Sequence, residues 1–251
     1  MKTDAVARRN SRSPSALSAV AKPRWFQRLN DRLASASVPP KIVDDLLDQQ
    51  MLATFAEGTT IFTQRSPGDV IYCVRAGVVD ILYHDTEIGT VVVDIATAGD
   101  LLGFMDVRDG VTSHQIFLAR AHTRCEIGMV TRERIARALE KLSPATLVSI
   151  AEQVNDWWSA KLTFSTTFVG LSTRDRLEIV LSRLADKCGV TESYGSLIPR
   201  YSHADLAAIV AASRPMVTRL LGDMTSAGSL ERRGRRYLKP IKSANARWKA
   251  F

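Results

Sequence analysis

The chain has 251 residues, of which 45% are hydrophobic and 24% charged, as in a globular protein of one large or two ordinary domains. It has no apolar run of about 18 residues, so a membrane-spanning helix is not expected. The basic N-terminus lacks the apolar segment of a secretory signal. Three widely spaced cysteines without a C-x-x-C pair argue against a disulfide framework and favour reduced thiols in a cytoplasmic protein.

The net charge of +8 is distributed unevenly along the chain. Residues 1–32 carry eight Lys/Arg against two Asp/Glu, and residues 214–251 carry ten against two. Residues 33–213 have a net charge of −6. Basic terminal segments next to an acidic middle segment are typical of a protein that contacts phosphate groups through one domain only.

The N-terminal part predicts little regular structure. Residues 1–24 are rich in Arg, Ser and Ala without an apolar period, which predicts a disordered basic arm. Short helices are predicted over 25–33 and 41–50, and Pro39-Pro40 separates them because proline cannot continue a helix.

Short β-rich runs punctuated by glycine follow from residue 51 to about residue 130. Evenly spaced short strands with such turns indicate a β-sandwich or jelly-roll barrel, whose interior is large enough for a small ligand. The predicted strands cover residues 59–64, 70–75, 78–83, 90–96 and 115–121.

Helical texture returns after the β-region. A helix over 131–141 precedes a long helix over 145–170, which Ser143 caps and which has Pro144 in its first turn. The long helix would span roughly 40 Å, more than a small domain needs, so we expect it to pack against its copy in a homodimer; burial within its own subunit is the alternative. Its apolar residues recur at steps of three and four: Leu147, Ile150, Val154, Trp157, Trp158, Leu162, Phe164 and Phe168.

Another helix follows, capped by Ser172 and ending near Gly189. The stretch 171–173 between the two helices is a candidate hinge. Residues 190–200 are expected to form a loop or short strand.

The segment YSHADLAAIVAASRPMVTRLL at residues 201–221 predicts two short helices joined by a tight turn. Ser202 caps the first helix and Ser213 the second, and Pro215 is tolerated in the first turn of the second. The inward-facing residues are predicted to be Leu206, Ile209, Val210, Val217, Leu220 and Leu221, with small alanines at 207, 208, 211 and 212 allowing close approach of the helices.

Arg214, Thr218 and Arg219 are predicted on the outer face of the second helix. Two short helices of which the second is basic form a helix-turn-helix. An α-helix fits the DNA major groove, where Arg can donate two hydrogen bonds to guanine.

The segment LERRGRRYLKPI at residues 230–241 predicts a β-hairpin "wing" that turns at Gly234 and rests on the phosphate backbone. Lys242, Arg247 and Lys249 would add phosphate contacts. The predicted DNA-contacting residues are Ser202, Ser213, Arg214, Met216, Thr218, Arg219, Arg232, Arg233, Arg235 and Arg236.

Over roughly residues 45–240 these motifs resemble the CRP/FNR family of bacterial transcription regulators. ASRPMVTRLL resembles the recognition helix of that family, SPGDVIYCVRAGVVDILY its barrel hairpin and AGDLLGF its glycine-rich turn. The resemblance implies that Arg214 and Arg219 contact bases or phosphates. The family usually has Glu where this chain has Pro215, so we expect a different operator half-site.

The resemblance also implies an α+β fold with a cyclic-nucleotide-binding-like β-barrel (jelly roll), a long dimerisation helix and a C-terminal winged helix-turn-helix. The expected domains are the arm 1–24, a sensor barrel with flanking helices at 25–142, the dimerisation helix at 143–171 and the DNA-binding domain at 172–251. Expected partners are double-stranded DNA, a second copy through helix 145–170, and RNA polymerase; no membrane contact is expected.

The signal at the barrel is expected to differ from cyclic AMP. Family members that bind cyclic nucleotides carry a Glu for the ribose and an Arg-Ser pair for the phosphate; here these positions fall on Phe104 and near His114-Gln115, so the Arg that would pair with a buried phosphate is missing. Iron–sulfur members use N-terminal cysteines, and residues 1–50 contain none. The candidate pocket residues are Phe104, Met105, His114 and Gln115.

Haem remains a candidate cofactor, because a single axial ligand from the protein can hold it and Met105 lies near where a haem-sensing relative places its histidine. A metabolite, or a redox signal at Cys73 or Cys125, are further alternatives, with the hinge reorienting the DNA-binding heads. A second class is a constitutive DNA-binding protein whose barrel binds no ligand. A third, an enzyme with a cupin-like metal site, is not expected, since His84, His114 and His122 lie on separate segments without H-x-H spacing.

Overall fold

The structure is a computed structural model that describes residues 38–87, 89–103, 114–167 and 170–240. The predicted arm, the helix over 25–33, Phe104, Met105 and the basic residues after 240 lie outside these ranges. The chain divides into two compact units, Met1–Asn155 and Asp156–Phe251. The four-part division predicted from the sequence stays a prediction.

In the described part of the first unit, the first helix is α1 (Pro40–Asp48), which has proline in its first turn and buries Val43. Eight strands form two antiparallel four-stranded sheets, in the orders β1-β8-β3-β6 and β2-β7-β4-β5. The strands are β1 (Met51–Phe55), β2 (Thr60–Phe62), β3 (Val70–Ala76), β4 (Val78–Asp85), β5 (Gly89–Thr97), β6 (Leu101–Leu102), β7 (Leu118–Ala121) and β8 (Cys125–Thr131).

One apolar core joins the two sheets. Alternate residues of a strand point to opposite faces, so Val79 and Ile81 of β4 enter this core while Asp80 lies on the other face. Phe62 of one sheet stacks on Tyr72 of the other with ring centroids 4.6 Å apart. This arrangement confirms the predicted double-sheet fold. The buried members of the core are Phe62, Tyr72, Val74, Val79, Ile81, Ala96, Leu102, Ala119, Ala121, Cys125 and Ile127.

All five predicted strands are present, and the ends of the first four shift by at most two residues. The fifth is corrected: it begins at Leu118 and not at residue 115, because His114 makes only an isolated bridge to Pro67 and the chain bends before β7. Strands β1, β6 and β8 were not predicted. Strand β1 lies at a sheet edge with mostly exposed or half-buried side chains, and β6 has two residues, so neither has a clear alternating pattern.

Gly77 makes the tight turn between β3 and β4. Its φ of +91° lies in the left-handed region, and a Cβ atom there would lie 2.4 Å from the Arg124 carbonyl oxygen. Glycine is therefore required here, and the turn lies where Ala76-Gly77 separates two β-rich runs in the sequence.

Helix α2 (Arg132–Leu139) and helix α3 (Pro144–Thr167) follow. The predicted Ser143 cap of α3 is confirmed, since Ser143 Oγ accepts from the Thr146 amide at 3.2 Å. Helix α3 is described as far as Thr167, and Gly170, where the helix was predicted to end, lies in a turn with φ +97°. The side chains of Trp157, Trp158, Leu162, Phe164 and Phe168 lie outside the described part of the structure. Among the described helices, none is both long and apolar enough to cross a membrane.

After α3, the described part of the second unit contains three further helices and a small antiparallel sheet of order β11-β12-β10-β9. Ser172 caps helix α4 by accepting from the Asp175 amide, as predicted. Residues 190–200, predicted as a loop or short strand, form a hairpin of two strands. The elements are α4 (Thr173–Cys188), β9 (Val190–Glu192), β10 (Gly195–Leu197), α5 (His203–Ile209), α6 (Arg214–Ser226), β11 (Glu231–Arg233) and β12 (Arg236–Pro240).

Candidate nucleic-acid interface

Helix α5 begins with a capping box. The Asp205 amide donates to Ser202 Oγ at 3.0 Å, and the Ser202 amide donates to Asp205 Oδ2 at 3.0 Å. These two bonds satisfy amides that the first helical turn leaves without partners. The cap predicted at Ser202 is confirmed, and its hydroxyl is engaged within the protein.

The turn between α5 and α6 passes through Ala211, a non-glycine residue with φ +49°. It is closed by a hydrogen bond from the Ala212 amide to the Ala207 carbonyl at 3.0 Å. The prediction that four alanines line the approach of the helices is corrected: Ala207 is buried, Ala212 is half-buried, and Ala208 and Ala211 are exposed. Ala211 forms the turn itself and cannot also face the second helix.

Helix α6 is amphipathic along its length. Ser213 Oγ accepts from the Met216 amide at 3.4 Å, and Pro215 lies in the first turn, as predicted. No acidic residue lies in that turn, so the positive end of the helix dipole is not opposed there. The buried face consists of Val217, Leu220, Leu221 and Met224.

The opposite face of α6 is exposed and basic. Arg214, Met216, Thr218 and Arg219 are all exposed, and Arg219 Nη2 lies 3.2 Å from the Met216 sulfur. Thr218 Oγ1 donates to the Arg214 carbonyl at 2.9 Å and lies 2.8 Å from His203 Nδ1. Its hydroxyl is thus largely engaged within the protein, and Arg214 and Arg219 carry the charge of this surface.

Strands β11 and β12 form the predicted wing. They are joined by the two-residue turn Gly234-Arg235, and Gly234 has φ +61°, which such hairpin turns require. Arg232 Nε donates to the Gly234 carbonyl at 3.2 Å. Arg235 and Arg236 are exposed at the tip, about ten residues beyond α6, so the wing adds positive charge to the same unit.

Arg233 differs from the other wing arginines. Its Nε lies 2.5 Å from Glu231 Oε1 and its Nη1 lies 3.9 Å from Glu192 Oε2. The guanidinium also covers the Tyr194 ring at 5.5 Å. Its charge is therefore partly matched by carboxylates.

His203 was not among the predicted site residues, yet it links α5, to which it belongs, with α6 and with strand β12 of the wing. It is the first residue of α5, its Nδ1 lies 2.8 Å from Thr218 Oγ1 of α6, and its Nε2 lies 3.1 Å from Tyr237 Oη of β12. Burial, and then the positive charges of Arg214 and Arg232, lower the pKa of His203 below its ordinary value. No local sequence pattern indicates a contact between residues 34 positions apart.

Of the four candidate pocket residues in the first unit, two are described. Gln115 is buried, and its Nε2 donates to the carbonyls of Pro67 at 3.3 Å and Val70 at 3.4 Å. The His114 side chain is exposed. The structure therefore does not bring these two side chains together, and it gives Gln115 a role in holding the backbone.

Two of the three histidines weighed as metal ligands have hydrogen-bond partners in the structure. His84 is exposed with Nδ1 2.9 Å from Thr90 Oγ1, and His122 Nδ1 lies 3.1 Å from Asp80 Oδ2. In the part of the chain that the structure covers, no group of three or more His, Cys, Asp or Glu side chains is placed to hold a metal ion.

The thiols weighed as redox sensors lie in the core. Burial raises the pKa of Cys73 to about 12 and also raises the pKa of Cys125. Because the thiolate is the reactive form of cysteine, both thiols are held in their unreactive form.

Comparison with known proteins agrees with both units. A family model of the cyclic nucleotide-binding domain matches residues 52–141, and one of the Crp-like helix-turn-helix domain matches residues 175–242. The CRP-like protein Clp of Xanthomonas euvesicatoria pv. vesicatoria is 24% identical over 181 residues, which cover 70% of this chain and 78% of Clp.

Solved structures show the same fold. The CLP regulator of Xanthomonas campestris, described as c-di-GMP responsive, matches with a TM-score of 0.65 and 22% identity over 81% of this chain and all of that one. FixK2 from Bradyrhizobium japonicum matches with a TM-score of 0.62 and 15% identity over 76% of this chain and 92% of its own.

A β-sandwich of the cyclic-nucleotide-binding type followed by a winged helix-turn-helix defines a class of DNA-binding transcription regulators. Within this class, the chain belongs to the CRP/FNR family.

Proposed function

We propose that this protein binds double-stranded DNA sequence-specifically as a homodimer, under control of a signal other than cyclic AMP at the β-sandwich. One observation carries the DNA proposal: Arg214 and Arg219 are exposed on α6, whose opposite face is buried, beside an arginine-rich wing. Helix α6 would enter the major groove, and Arg235 and Arg236 would contact phosphates.

The homodimer would form through α3. This helix has 24 residues, and Leu147, Val148 and Val154 are 39%, 58% and 40% exposed in the single chain. Apolar side chains exposed at this level on a long helix favour pairing with a second copy. Two copies related by a twofold axis would read a nearly palindromic site. Contact with RNA polymerase would follow DNA binding.

The operator is expected to differ from the usual family site. Pro215 occupies the position where the family usually has Glu, and proline has no group that can accept a hydrogen bond from cytosine N4. Arg214 and Arg219 remain available for guanine, so the half-site would retain guanine contacts and lose the cytosine preference.

The chemistry of the described interior supports a signal other than cyclic AMP. Apolar side chains from both sheets fill the described core, and Gln115 uses its amide on backbone carbonyls. A buried phosphate needs a cationic partner, which neither His114 nor Gln115 provides in this arrangement. Cyclic di-GMP is the first compound to test, because the Xanthomonas campestris structure is described as responsive to it. Its phosphates would have to bind outside the position of His114 and Gln115.

The alternative is a protein that binds DNA constitutively, without a ligand in the sandwich, and the same well-filled core supports it. If the sandwich serves only as a structural and dimerisation module, protein freed of small molecules by unfolding and refolding will bind its operator at full affinity. A gain in affinity on adding cyclic di-GMP, or a Soret band in the absorbance spectrum of the purified protein, would instead identify a dinucleotide or haem signal.

The decisive experiment is DNA binding by an Arg214→Ala/Arg219→Ala double variant. We would select operator fragments with the wild-type protein and measure the binding of each variant by fluorescence anisotropy. Loss of sequence-specific binding by the double variant is expected, since both groove-facing cations are removed. Arg137→Ala is the matched control, because Arg137 is an exposed arginine on α2. Unchanged operator affinity of the double variant would contradict the proposal.

A further inference from the structure

We propose that His203 is a positioning residue that couples the wing to the recognition helix through a Tyr237–His203–Thr218 hydrogen-bond chain. The inference rests on the proposed DNA binding and concerns how two parts of one surface act together. The three residues come from β12, α5 and α6, and their heavy atoms are separated by 3.1 Å and 2.8 Å.

The direction of the chain follows from Thr218. Its hydroxyl hydrogen is donated to the Arg214 carbonyl at 2.9 Å, so toward His203 the oxygen acts as acceptor. His203 must then carry its proton on Nδ1, which leaves Nε2 as the acceptor for the Tyr237 hydroxyl. Burial raises the pKa of Tyr237, which keeps that donor protonated. The position of the proton in each of these hydrogen bonds thus determines which atom donates in the next one.

The charges around His203 favour this neutral form. Arg214 of α6 and Arg232 of β11 act on the imidazole, and Tyr237 of β12 meets its Nε2. A protonated imidazole would be a third cation beside two arginines and would need Tyr237 as an acceptor. The neutral ring links the three elements without adding a third positive charge beside Arg214 and Arg232.

The hydrogen-bond chain ends next to two proposed DNA contacts, one on α6 and one on the wing. Thr218 lies one residue before Arg219 on α6, and Tyr237 directly follows Arg236 on β12. A hydrogen-bonded link between Thr218 and Tyr237 therefore fixes where the wing arginines lie when α6 is in the groove. If the link is removed, the wing can fold normally and still lose its alignment with the phosphates.

The test is a double-mutant cycle on DNA affinity and its salt dependence. Tyr237→Phe removes one hydroxyl and keeps the ring, and Arg235→Ala/Arg236→Ala removes the wing charges. Tyr237→Phe is expected to weaken operator binding about fivefold and to lower the slope of log affinity against log salt by about one unit. The wing double variant should then cause a smaller further loss in the Tyr237→Phe background than in wild type.

Tyr194→Phe is the matched control, because Tyr194 is an exposed tyrosine of the same unit whose ring stays beneath Arg233 without its hydroxyl. It should leave affinity and slope unchanged. Additive losses in the cycle, or an unchanged slope in Tyr237→Phe, would overturn the coupling. The same comparison with Thr218→Val examines the other end of the chain.

Nitrogen-15 NMR of labelled histidine in the wild-type protein gives a readout that does not depend on a variant folding. At pH 7.5 the His203 signals should report a neutral ring with its proton on Nδ1. A proton on Nε2, or an imidazolium ring, would overturn the proposed direction of the chain. Failure of the wild-type protein to bind DNA at all would instead contradict the proposed function and would leave the tautomer result standing on its own.

Discussion

The carboxylate of Asp80 lies 3.1 Å from the guanidinium of Arg120, its register partner on the neighbouring strand β7. Asp80 is 1% exposed and also lies 3.1 Å from His122 Nδ1, so this face of the β4–β7 pair buries a charge that requires its partners. An unpaired buried charge is strongly unfavourable, whereas the pair itself contributes little beyond its desolvation.

Asp80→Ala is therefore expected to destabilise the first unit, because it leaves Arg120 and His122 without this carboxylate. We expect a loss of about 2 kcal/mol, below the range for fully buried pairs, since the Arg120 side chain is 37% exposed and can be hydrated. Urea unfolding followed by circular dichroism measures the change. Asp45→Ala, at an exposed position on α1, is the control; equal midpoints for the two variants would contradict the assignment.

Ala211→Gly is expected to stabilise the second unit. Alanine in the left-handed region is disfavoured by about 1–2 kcal/mol, which exceeds the entropic cost of glycine of about 0.5–1 kcal/mol. A net gain of about 0.5–1 kcal/mol should appear as a higher urea midpoint. Ala208→Gly is the matched control, because Ala208 is exposed within α5 and should lose stability. A decrease of similar size in both variants would show that the turn is not strained.

The three thiols are expected to differ in reactivity in the folded protein. With a pKa of about 12, Cys73 has a thiolate fraction roughly a thousand times lower than an ordinary thiol, and Cys125 is also buried. Cys188 is half-buried and should be the thiol that reacts with Ellman's reagent at pH 8. All three should react in guanidinium chloride.

Cys188→Ser should abolish the fast phase of this reaction. Rapid modification of Cys73 or Cys125 in the folded Cys188→Ser variant would contradict this prediction and would support the hypothesis of a redox signal at the sandwich. A slow phase that matches the rate of unfolding would agree with the burial of both thiols.

The pKa of His203 predicts a pH dependence of stability. Burial, followed by Arg214 and Arg232, lowers this pKa below 6.5, so the folded protein binds the proton more weakly than the unfolded chain. The contribution of the neutral ring is complete above pH 6.5 and is lost as the pH falls below that value. The wild-type urea midpoint should fall between pH 7.5 and 5.5 by more than that of His203→Gln, whose side chain does not titrate. Parallel curves for the two proteins would contradict this prediction.

Features that depend on short stretches of chain could be predicted from the sequence. The caps at Ser172, Ser202 and Ser213, the buried face of α6 and the Gly234 turn each follow from residues within a few positions of one another. Their hydrogen bonds and hydrophobic periods are local, so composition and spacing determine them. The family resemblance likewise depends on contiguous motifs. These features place a basic helix and a wing at one end of the chain.

Features that join distant parts of the chain were decided only by the tertiary structure. Gln115 was a candidate ligand contact, and its amide reaches a carbonyl 48 residues away. Arg233 was one of four equivalent arginines, until folding placed it beside Glu192. His203 carried no signal at all, because its partners Thr218 and Tyr237 lie 15 and 34 residues away. The sequence by itself determined which helix carries the arginines proposed to contact DNA, and the packing of strands against helices decided which polar groups remain available for such a contact.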